Sequence, residues 1–370
     1  MKLPDKWKAD ELLSIYASKG VDSDILLTIT ENYSCLQDFF EGKNLPPKLI
    51  RLLGKNELFF NKTGFDLKIG TRQLEKAEEE NSKIISIWDD EYPALLKEIT
   101  NPPAFLFVRG NLQVSNTDSF SIVGTRRCTQ YGKLTTDRFA EYFAKRGVII
   151  TSGLANGIDS QAHLSALRAG GITYAVLGGG LDHLYPASAE KYVKKILDAG
   201  GAVITEYPFG TKPFQPYFLQ RNRIISGISK AVLVVESAFK GGSLNTAAHA
   251  FDQGREVYAV PGKIDSDKSM GTNMLIKKDV ASIAISPELV FKELALNGKG
   301  NIFYEEDKKD LILDEQEKKI FECIGSEPLH IDEISEKSGF DMSVLLVKLL
   351  NLEFSGAVNQ LPGKYFVRKD

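Results

Sequence analysis

Short apolar runs alternate with amphipathic stretches between residues 120 and 262, and this alternation constrains the fold more than any other feature of the 370-residue chain. Such runs are typical of strands buried on both faces of a parallel sheet. The sequence predicts strands in FSIVG, VIITSG, TYAVLG, AVITEY, AVLVVES and EVYAVPG. Helices are expected between them at residues 133–146, 159–169, 188–199, 221–228 and 244–253. The predicted fold class is α/β, with a doubly wound parallel sheet.

The flanking sequence predicts smaller units. Residues 1–65 form a small helical module of the SAM or helix-hairpin-helix kind, and residues 66–292 form the central domain. The central domain starts with a charged helix, TRQLEKAEEEN, and the strands KIISIW and FLFV. Residues 293–312, rich in Gly and Asn and then charged, predict a linker, and residues 313–370 predict a winged-helix-like domain.

The winged-helix-like region lacks the charge that duplex DNA requires. Residues 311–370 hold 7 Lys and Arg against 11 Asp and Glu, and the candidate recognition helix offers only Lys348. Because phosphate contacts dominate DNA affinity, a protein-interaction role fits this region better.

Charge is unevenly distributed along the chain. The net charge is −3, yet residues 119–263 hold 17 Lys and Arg against 10 Asp and Glu. This basic centre indicates an anionic partner, although a solvated lysine-rich surface is an equally good interpretation of charge alone. The absence of a long apolar run or a signal peptide predicts a cytoplasmic, non-membrane protein. The three widely spaced cysteines, Cys35, Cys128 and Cys323, are expected to be reduced core thiols.

Glycines and small hydroxyl residues follow the predicted strands, where a parallel sheet binds its ligands. They occur in Gly124–Arg127, in Ser152–Gly157, at 178–180 and at 241–243, with Glu206-Tyr207-Pro208 after a fourth strand. Glycine lets backbone N–H groups approach a ligand, and helix N-termini favour anions. These positions predict phosphate binding.

Basic and aromatic residues lie beside these loops. Arg126 and Arg127 follow the first strand, and Arg221 and Arg223 are placed at the start of the helix predicted at residues 221–228. Phe214, Tyr217 and Phe218 interleave with Lys212, which predicts a stacking platform for unpaired bases; the alternative is that these aromatics belong to the core.

Catalytic and metal sites lack a basis in the sequence. Ser152, Asp159 and His163 lie close together, but no nucleophile elbow is present, and Asp159 and His163 are expected to be structural. His163, His183 and His249 lack ligand spacing for a metal, and neither a Walker A nor a dinucleotide motif occurs. No catalytic residue, metal or cofactor is predicted.

Eight motifs in order resemble the DNA-processing protein A (DprA, Smf) family. They are IVGTRRCTQYG, TSGLANGIDSQAH, YAVLGGGLDHLYP, TEYPFG, FLQRNRIISGIS, AVLVVES, GGSLNTAAHA and EVYAVPG with MGTNMLI downstream. The resemblance covers residues 70 to 290. It implies an extended Rossmann fold that binds single-stranded DNA, dimerises and helps to load the RecA recombinase onto protected incoming DNA during natural transformation, without catalytic activity.

By matching motif, the resemblance places the DNA contacts at Gly124, Thr125, Arg126, Ser152, Gly153, Arg221, Asn222, Arg223 and Ser243. The neighbouring residues Arg127, Asn156, Lys212, Phe218, Lys240 and Gly242 complete the predicted single-stranded DNA and phosphate site. Three positions depart from the family pattern. Asn156 replaces a basic residue, Leu219 replaces Pro, and Gly241 replaces Ser. Loss of the cation at position 156 leaves two outcomes open, a lower affinity or compensation by Arg127.

Two other functions are alternatives for this sequence. A nucleotide phosphoribohydrolase of related fold would need a carboxylate in the GGSLNTAAH motif, where this chain has His249. An interaction scaffold with acidic ends is compatible with DNA binding.

Overall fold

The computed structural model describes residues 1–4, 6–18, 20–41, 46–53, 66–112, 118–186, 189–296, 313–325, 327–355 and 357–368. The chain divides into two compact units, Met1–Gly300 and Asn301–Asp370. The predicted module boundary at residue 65 and most of the predicted linker lie outside the described residues, so the domain boundaries stay predictions.

A nine-stranded sheet forms the centre of the first unit. Its strands in chain order are β1 (Ser82–Ser86), β2 (Phe105–Gly110), β3 (Ser119–Val123), β4 (Ile149–Ser152), β5 (Thr173–Val176), β6 (Ala202–Thr205), β7 (Ala231–Val234), β8 (Glu256–Ala259) and β9 (Ser282–Ile283). The spatial order is β1-β2-β6-β5-β4-β3-β7-β8-β9. Strands β3 to β9 pair with one another in parallel, and β2 pairs antiparallel with both β6 and β1.

Thirteen helices are described in the first unit. They are α1 (Ala9–Tyr16), α2 (Ser23–Asn32), α3 (Leu36–Glu41), α4 (Pro47–Leu53), α5 (Lys68–Glu79), α6 (Ala94–Lys97), α7 (Gln130–Lys145), α8 (Ile158–Arg168), α9 (Glu190–Asp198), α10 (Gln215–Gly227), α11 (Gly242–Asp252), α12 (Met270–Lys277) and α13 (Pro287–Leu294). The predicted α/β class is confirmed, and all six predicted strands are present as β3 to β8.

The sheet is covered on both faces, as its sequence predicts. Successive residues of β7 alternate between two cores: Leu233 joins the core with Phe139 and Phe143 of α7, and Val232 joins the core with Ile224 of α10. A strand that is buried on both faces has apolar residues at nearly every position. Because of this, the strands of the sheet can be predicted from their continuous apolar runs.

Helix α10 begins six residues earlier than predicted. The predicted start was Arg221, but the helix begins at Gln215 with Pro216 in its first turn, where proline is accepted because no intrahelical N–H bond is lost there. Arg221 and Arg223 therefore lie in the middle of the helix and not at its N-terminus.

The N-terminal helices share a core with the sheet. Leu12 and Leu13 of α1 are fully buried in one cluster with Phe105 and Phe107 of β2. The ring of Tyr16 meets that of Phe105 edge to face, with centroids 5.5 Å apart. Helices α1 to α5 therefore pack as part of the first unit.

The second unit is a winged helix. It comprises α14 (Glu315–Cys323), β10 (Leu329–His330), α15 (Ile331–Ser338), α16 (Met342–Phe354), β11 (Val358–Leu361) and β12 (Tyr365–Arg368). Ile334, Leu345 and Phe366 lie in its buried core. Lys348, the one candidate DNA contact on α16, is paired with Asp314 and lies 3.8 Å from Glu317. The charge of Lys348 is therefore balanced within the second unit.

Two further sequence predictions can be compared with the described residues. Cys35, Cys128 and Cys323 are free thiols, as predicted, but all three are half-buried and so are not core residues. None of the helices in the described ranges combines the length and apolar character needed to cross a bilayer.

Candidate functional site

A groove of about 880 Å³ lies at the carboxyl ends of β3 and β7. Strand β3 has β4 on one side and β7 on the other, so the strand order reverses here, and this is where an open α/β sheet binds its ligand. Most of the predicted contacts line the groove: Gly124, Thr125, Arg126, Arg127, Phe218, Arg221, Asn222, Lys240, Gly242 and Ser243. The predicted positions thus come together in space.

Gly153 and Asn156 line a small adjoining cavity. Its volume is about 50 Å³, and it shares Arg126, Phe218 and Arg221 with the groove. Asn156 is exposed, and Gly153 is buried beneath Arg221. The loop after β4 therefore forms one edge of the site.

Ser152 and Lys212 line neither cavity. Ser152 is fully buried, and its hydroxyl donates to the Ile122 carbonyl at 2.6 Å, so it cannot reach a ligand. The predicted phosphate contact at Ser152 is corrected on this ground. Lys212 is exposed two residues before Phe214, outside the groove lining.

The backbone cradle after β4 is filled by a side chain of the protein itself. The Asp159 carboxylate accepts the Gly153 N–H at 3.1 Å and also accepts the N–H groups of Ala155 and Gly124. Burial raises the pKa of Asp159 to about 6, and the Arg221 charge and these N–H groups oppose the rise. Since the carboxylate occupies the amides that the sequence assigned to phosphate, this loop serves as the floor of the groove.

Arg221 forms the rest of that floor. Its side chain is buried and donates to the carbonyls of Gly153, at 2.9 Å, and Val176. A Cβ at position 153 would come within 2.6 Å of the Arg221 guanidinium, so only glycine fits there. Burial lowers the pKa of Arg221 to about 10, which keeps the group charged at neutral pH.

His163 is structural, as predicted. The Thr173 hydroxyl donates to Ile150 O at 2.6 Å and therefore accepts from His163 Nδ1, 2.7 Å away. Burial and the Arg221 charge lower the pKa of His163 to about 3, so the imidazole is neutral. With Ser152 bonded to Ile122, the geometry contains no Ser-His-Asp relay.

The opposite rim is the start of α11. Gly241 precedes it, and a Cβ there would lie 2.2 Å from Ser237 Oγ, whereas Gly242 faces open space. The N–H groups of the first helical turn have no intrahelical acceptors and carry partial positive charge. Lys240 is exposed beside them. This rim offers amides and a cation to an anion.

One aromatic residue of the predicted platform lies in the groove. Phe218 contacts the Arg126 guanidinium, 5.9 Å from its ring centroid, and the ring of Tyr185 at 5.6 Å. Tyr217 instead stacks on Tyr207, with centroids 4.4 Å apart, and the exposed Phe214 packs against Tyr217. The platform therefore consists of Phe218 and Tyr185.

Arg223 points away from the groove. Two of its nitrogens donate to the two Glu206 oxygens at 2.6 Å each, and Nε donates to Asn101 O at 2.9 Å. Residues two apart on a helix do not share a face, so the Arg-Asn-Arg sequence cannot place both arginines in one groove. The predicted DNA contact at Arg223 is corrected to a structural ion pair.

Sequence reasoning missed Tyr185, Pro213, Thr246 and Lys268 among the lining residues. Tyr185 and Lys268 lie near recognisable motifs, LDHLYP and MGTN, but neither residue follows a strand directly. Of the lining residues, Arg126, Arg127, Arg221, Lys240 and Lys268 are cations, and Asp159 is the one carboxylate. The groove therefore has a positive field suited to a polyanion.

Metal binding finds no support in the described ranges. They contain no cluster of three or more His, Cys, Asp or Glu side chains arranged to hold an ion. The groove can bind anions and stack planar rings.

Two family models match the chain. Residues 83–295 match the model described as DNA recombination-mediator protein A, and residues 305–364 match the DprA winged helix domain. The first model alone covers more than half of the chain and includes every groove residue named above.

Curated relatives and solved structures agree with these models. Protein Smf of Escherichia coli is 38% identical over 294 residues, 78% of each chain, and Protein Smf of Synechocystis sp. is 32% identical over 391 aligned positions, 95% of this chain and 96% of that one. The X-ray structure of DNA processing protein A from Streptococcus pneumoniae has a TM-score of 0.65 at 30% identity, covering 79% of this chain and 99% of that chain. A structure of the Helicobacter pylori protein, solved for its single-stranded DNA binding mode, has a TM-score of 0.52 at 28% identity and covers 58% and 95%.

Proposed function

Since this chain belongs to the DNA recombination-mediator protein A family, also named DprA and Smf, we propose that it binds single-stranded DNA in the groove between β3 and β7. The observation that carries the proposal is the clustering of cations and an aromatic platform along one rim of the sheet. Arg126 contributes to both features, because it borders the groove and contacts Phe218.

The phosphates of the strand bind the exposed cations. Arg126 and Arg127 follow β3, and Lys240 and the amides of Gly242 and Ser243 line the same groove at or just before the start of α11. Arginine forks and helix N-termini are suited to phosphate oxygens. Arg221 contributes its charge from the floor without leaving its bonds to Gly153 and Val176.

Bases stack on Phe218 and Tyr185. An aromatic ring contacts the face of a base, and this face is available in a single strand but covered by neighbouring bases in a duplex. The protein is therefore expected to prefer oligo-dT to duplex DNA of the same length. Asn156 lines the adjoining cavity, and the exposed Lys212 lies outside both cavities, so we propose that these two residues contact the strand only beyond the groove.

In the cell, we propose that the protein acts as a recombination mediator. It is a cytoplasmic homodimer that protects incoming single strands and helps to load RecA recombinase on them during natural transformation, and it has no catalytic activity of its own. The family membership and the positive groove support this role. Static light scattering measures the oligomeric state, and RecA filament formation on strands coated with single-strand binding protein measures loading.

The test of the site is a fluorescence anisotropy titration of labelled oligo-dT and of duplex DNA over a range of salt concentrations. We expect tighter binding to the single strand and a steep loss of affinity with salt. Equal or stronger binding to the duplex would contradict the proposal. Incubation with AMP is the accompanying test for an enzyme, because release of free adenine would favour the phosphoribohydrolase alternative.

A further inference from the structure

We propose that the N-terminal helices set the shape of the groove from behind, through Tyr16 of α1 and Gln73 of α5. Both residues hold the segment 206–214 between β6 and α10, called here the β6–α10 loop. This inference rests on the proposed function of the groove and assigns positioning residues to it. Both residues lie outside the family match at 83–295.

Tyr16 holds the beginning of the β6–α10 loop. Its hydroxyl donates to the backbone carbonyl of Glu206 at 3.0 Å, and its ring is buried against Phe105. Burial and the neighbouring Glu206 charge raise the pKa of Tyr16, so the hydroxyl stays protonated and able to donate. The end of α1 thus fixes the backbone at the point where β6 stops.

Gln73 holds the middle of the same loop. Its side-chain oxygen accepts the Phe209 N–H at 2.8 Å, and its side-chain nitrogen donates to the Phe209 carbonyl at 3.3 Å. An amide that pairs with both backbone groups of one residue fixes the position and the orientation of that peptide. Helix α5 therefore restrains the loop between residues 208 and 210.

The β6–α10 loop transmits this restraint to the groove. The Glu206 side chain binds both terminal nitrogens of Arg223 on the back of α10, and Gln253, the residue that follows α11, donates to the Arg223 carbonyl at 3.0 Å. Phe218 and Arg221, on the front of the same helix, line the groove. A helix moves as a rigid element, so a shift of its back displaces the stacking ring and the floor together.

None of the described residues of α1 to α5 lines the groove, so a direct contact with DNA does not explain their effect on it. The expected signature of positioning is a lower affinity with an unchanged number of phosphate contacts. The slope of log K against log salt reports that number and separates positioning from direct contact.

The test uses the full chain with Tyr16→Phe and Gln73→Leu combined, and Tyr16→Phe alone as the conservative variant if the pair does not fold. Oligo-dT affinity is expected to fall roughly five- to ten-fold with the salt slope of the wild type. The matched control is Thr28→Val, which removes the bond from the buried Thr28 hydroxyl to the Asp24 carbonyl within α2 and keeps the bonds of α5 and of the β6–α10 loop.

Three results would overturn the inference: wild-type affinity in the variants, a shallower salt slope, or an equal loss in Thr28→Val. The first shows that the loop does not need the restraint, the second shows direct contact, and the third shows a general loss of stability. Failure of the wild-type protein to bind oligo-dT would instead reject the proposed function, so the two failures are distinguishable.

Discussion

Arg221 and Arg223 lie two residues apart on α10 and serve opposite faces of it. Arg221 donates to the Gly153 carbonyl under the groove, and Arg223 binds Glu206 behind it. Arg221 is buried, and the Arg223 side chain is only 12% exposed in its pair with the buried Glu206, so charge reversal at either position would destabilise the fold and would not isolate a DNA contact.

The Arg223 and Glu206 ion pair is expected to matter for stability. Replacing one partner leaves the other charge buried without its counter-ion, which costs about 3–5 kcal/mol. Arg223→Ala should therefore lower the free energy of unfolding by that amount in urea titrations, and Arg138→Ala, an exposed arginine paired with Glu288, should lower it by less than about 1 kcal/mol. Similar values for the two variants would show that the buried pair contributes little.

Phe218 is expected to contribute stacking and not charge. Phe218→Ala should weaken oligo-dT binding by about 1–3 kcal/mol with an unchanged salt slope, because no cation is removed. Phe214→Ala is the control, since Phe214 is 57% exposed and packs against Tyr217 outside the groove. Anisotropy titrations measure both. Equal effects of the two substitutions would remove Phe218 from the platform.

His163 makes the fold sensitive to acid. Its pKa falls from 6.5 to about 3 on folding, so below pH 6.5 the unfolded chain binds a proton that the folded protein excludes. The contribution of the neutral His163 to the free energy of unfolding is therefore complete above pH 6.5 and is lost as pH falls towards 3. Between pH 7.5 and 5, the free energy of unfolding should fall by about 2 kcal/mol more in the wild type than in His163→Gln. Parallel pH profiles, measured by urea unfolding, would contradict this role.

The winged helix is expected to be dispensable for binding a single strand. Residues 301–370 form a separate compact unit, and Lys348 is paired with Asp314. A protein ending at residue 300 should therefore bind oligo-dT with the affinity of the full chain. A loss of more than ten-fold in anisotropy titrations would place part of the DNA site in that unit.

The sheet and the rim of the groove are predictable from sequence because both leave local signals. A strand buried on both faces is a continuous apolar run, and a loop that approaches a ligand needs glycine. Gly124 and Gly242 are predicted site residues because each is a glycine that follows a predicted strand, and both line the groove.

The predicted DNA contacts that the structure corrects were wrong because these side chains bond to residues far away in the chain. Ser152 bonds to Ile122, and Arg223 bonds to Glu206 and Asn101. The residues next to Ser152 and Arg223 in the sequence do not indicate these partners. The loop around Gly153 is predicted to bind an anion, but the anion that accepts its N–H groups is the carboxylate of Asp159, six residues later in the chain. Tyr16 was predicted to be helical, and its bond to Glu206 spans 190 residues.

The most direct test of the groove is the salt dependence of oligo-dT binding by Arg126→Ala with Lys240→Ala, compared with a control of equal charge, Arg138→Ala with Lys191→Ala. Loss of two phosphate contacts should weaken binding and make the slope of log K against log salt shallower by about 1.4, at about 0.7 per contact. The control should keep the wild-type slope. An unchanged affinity and slope in the Arg126 and Lys240 variant would contradict the assignment of the groove to single-stranded DNA.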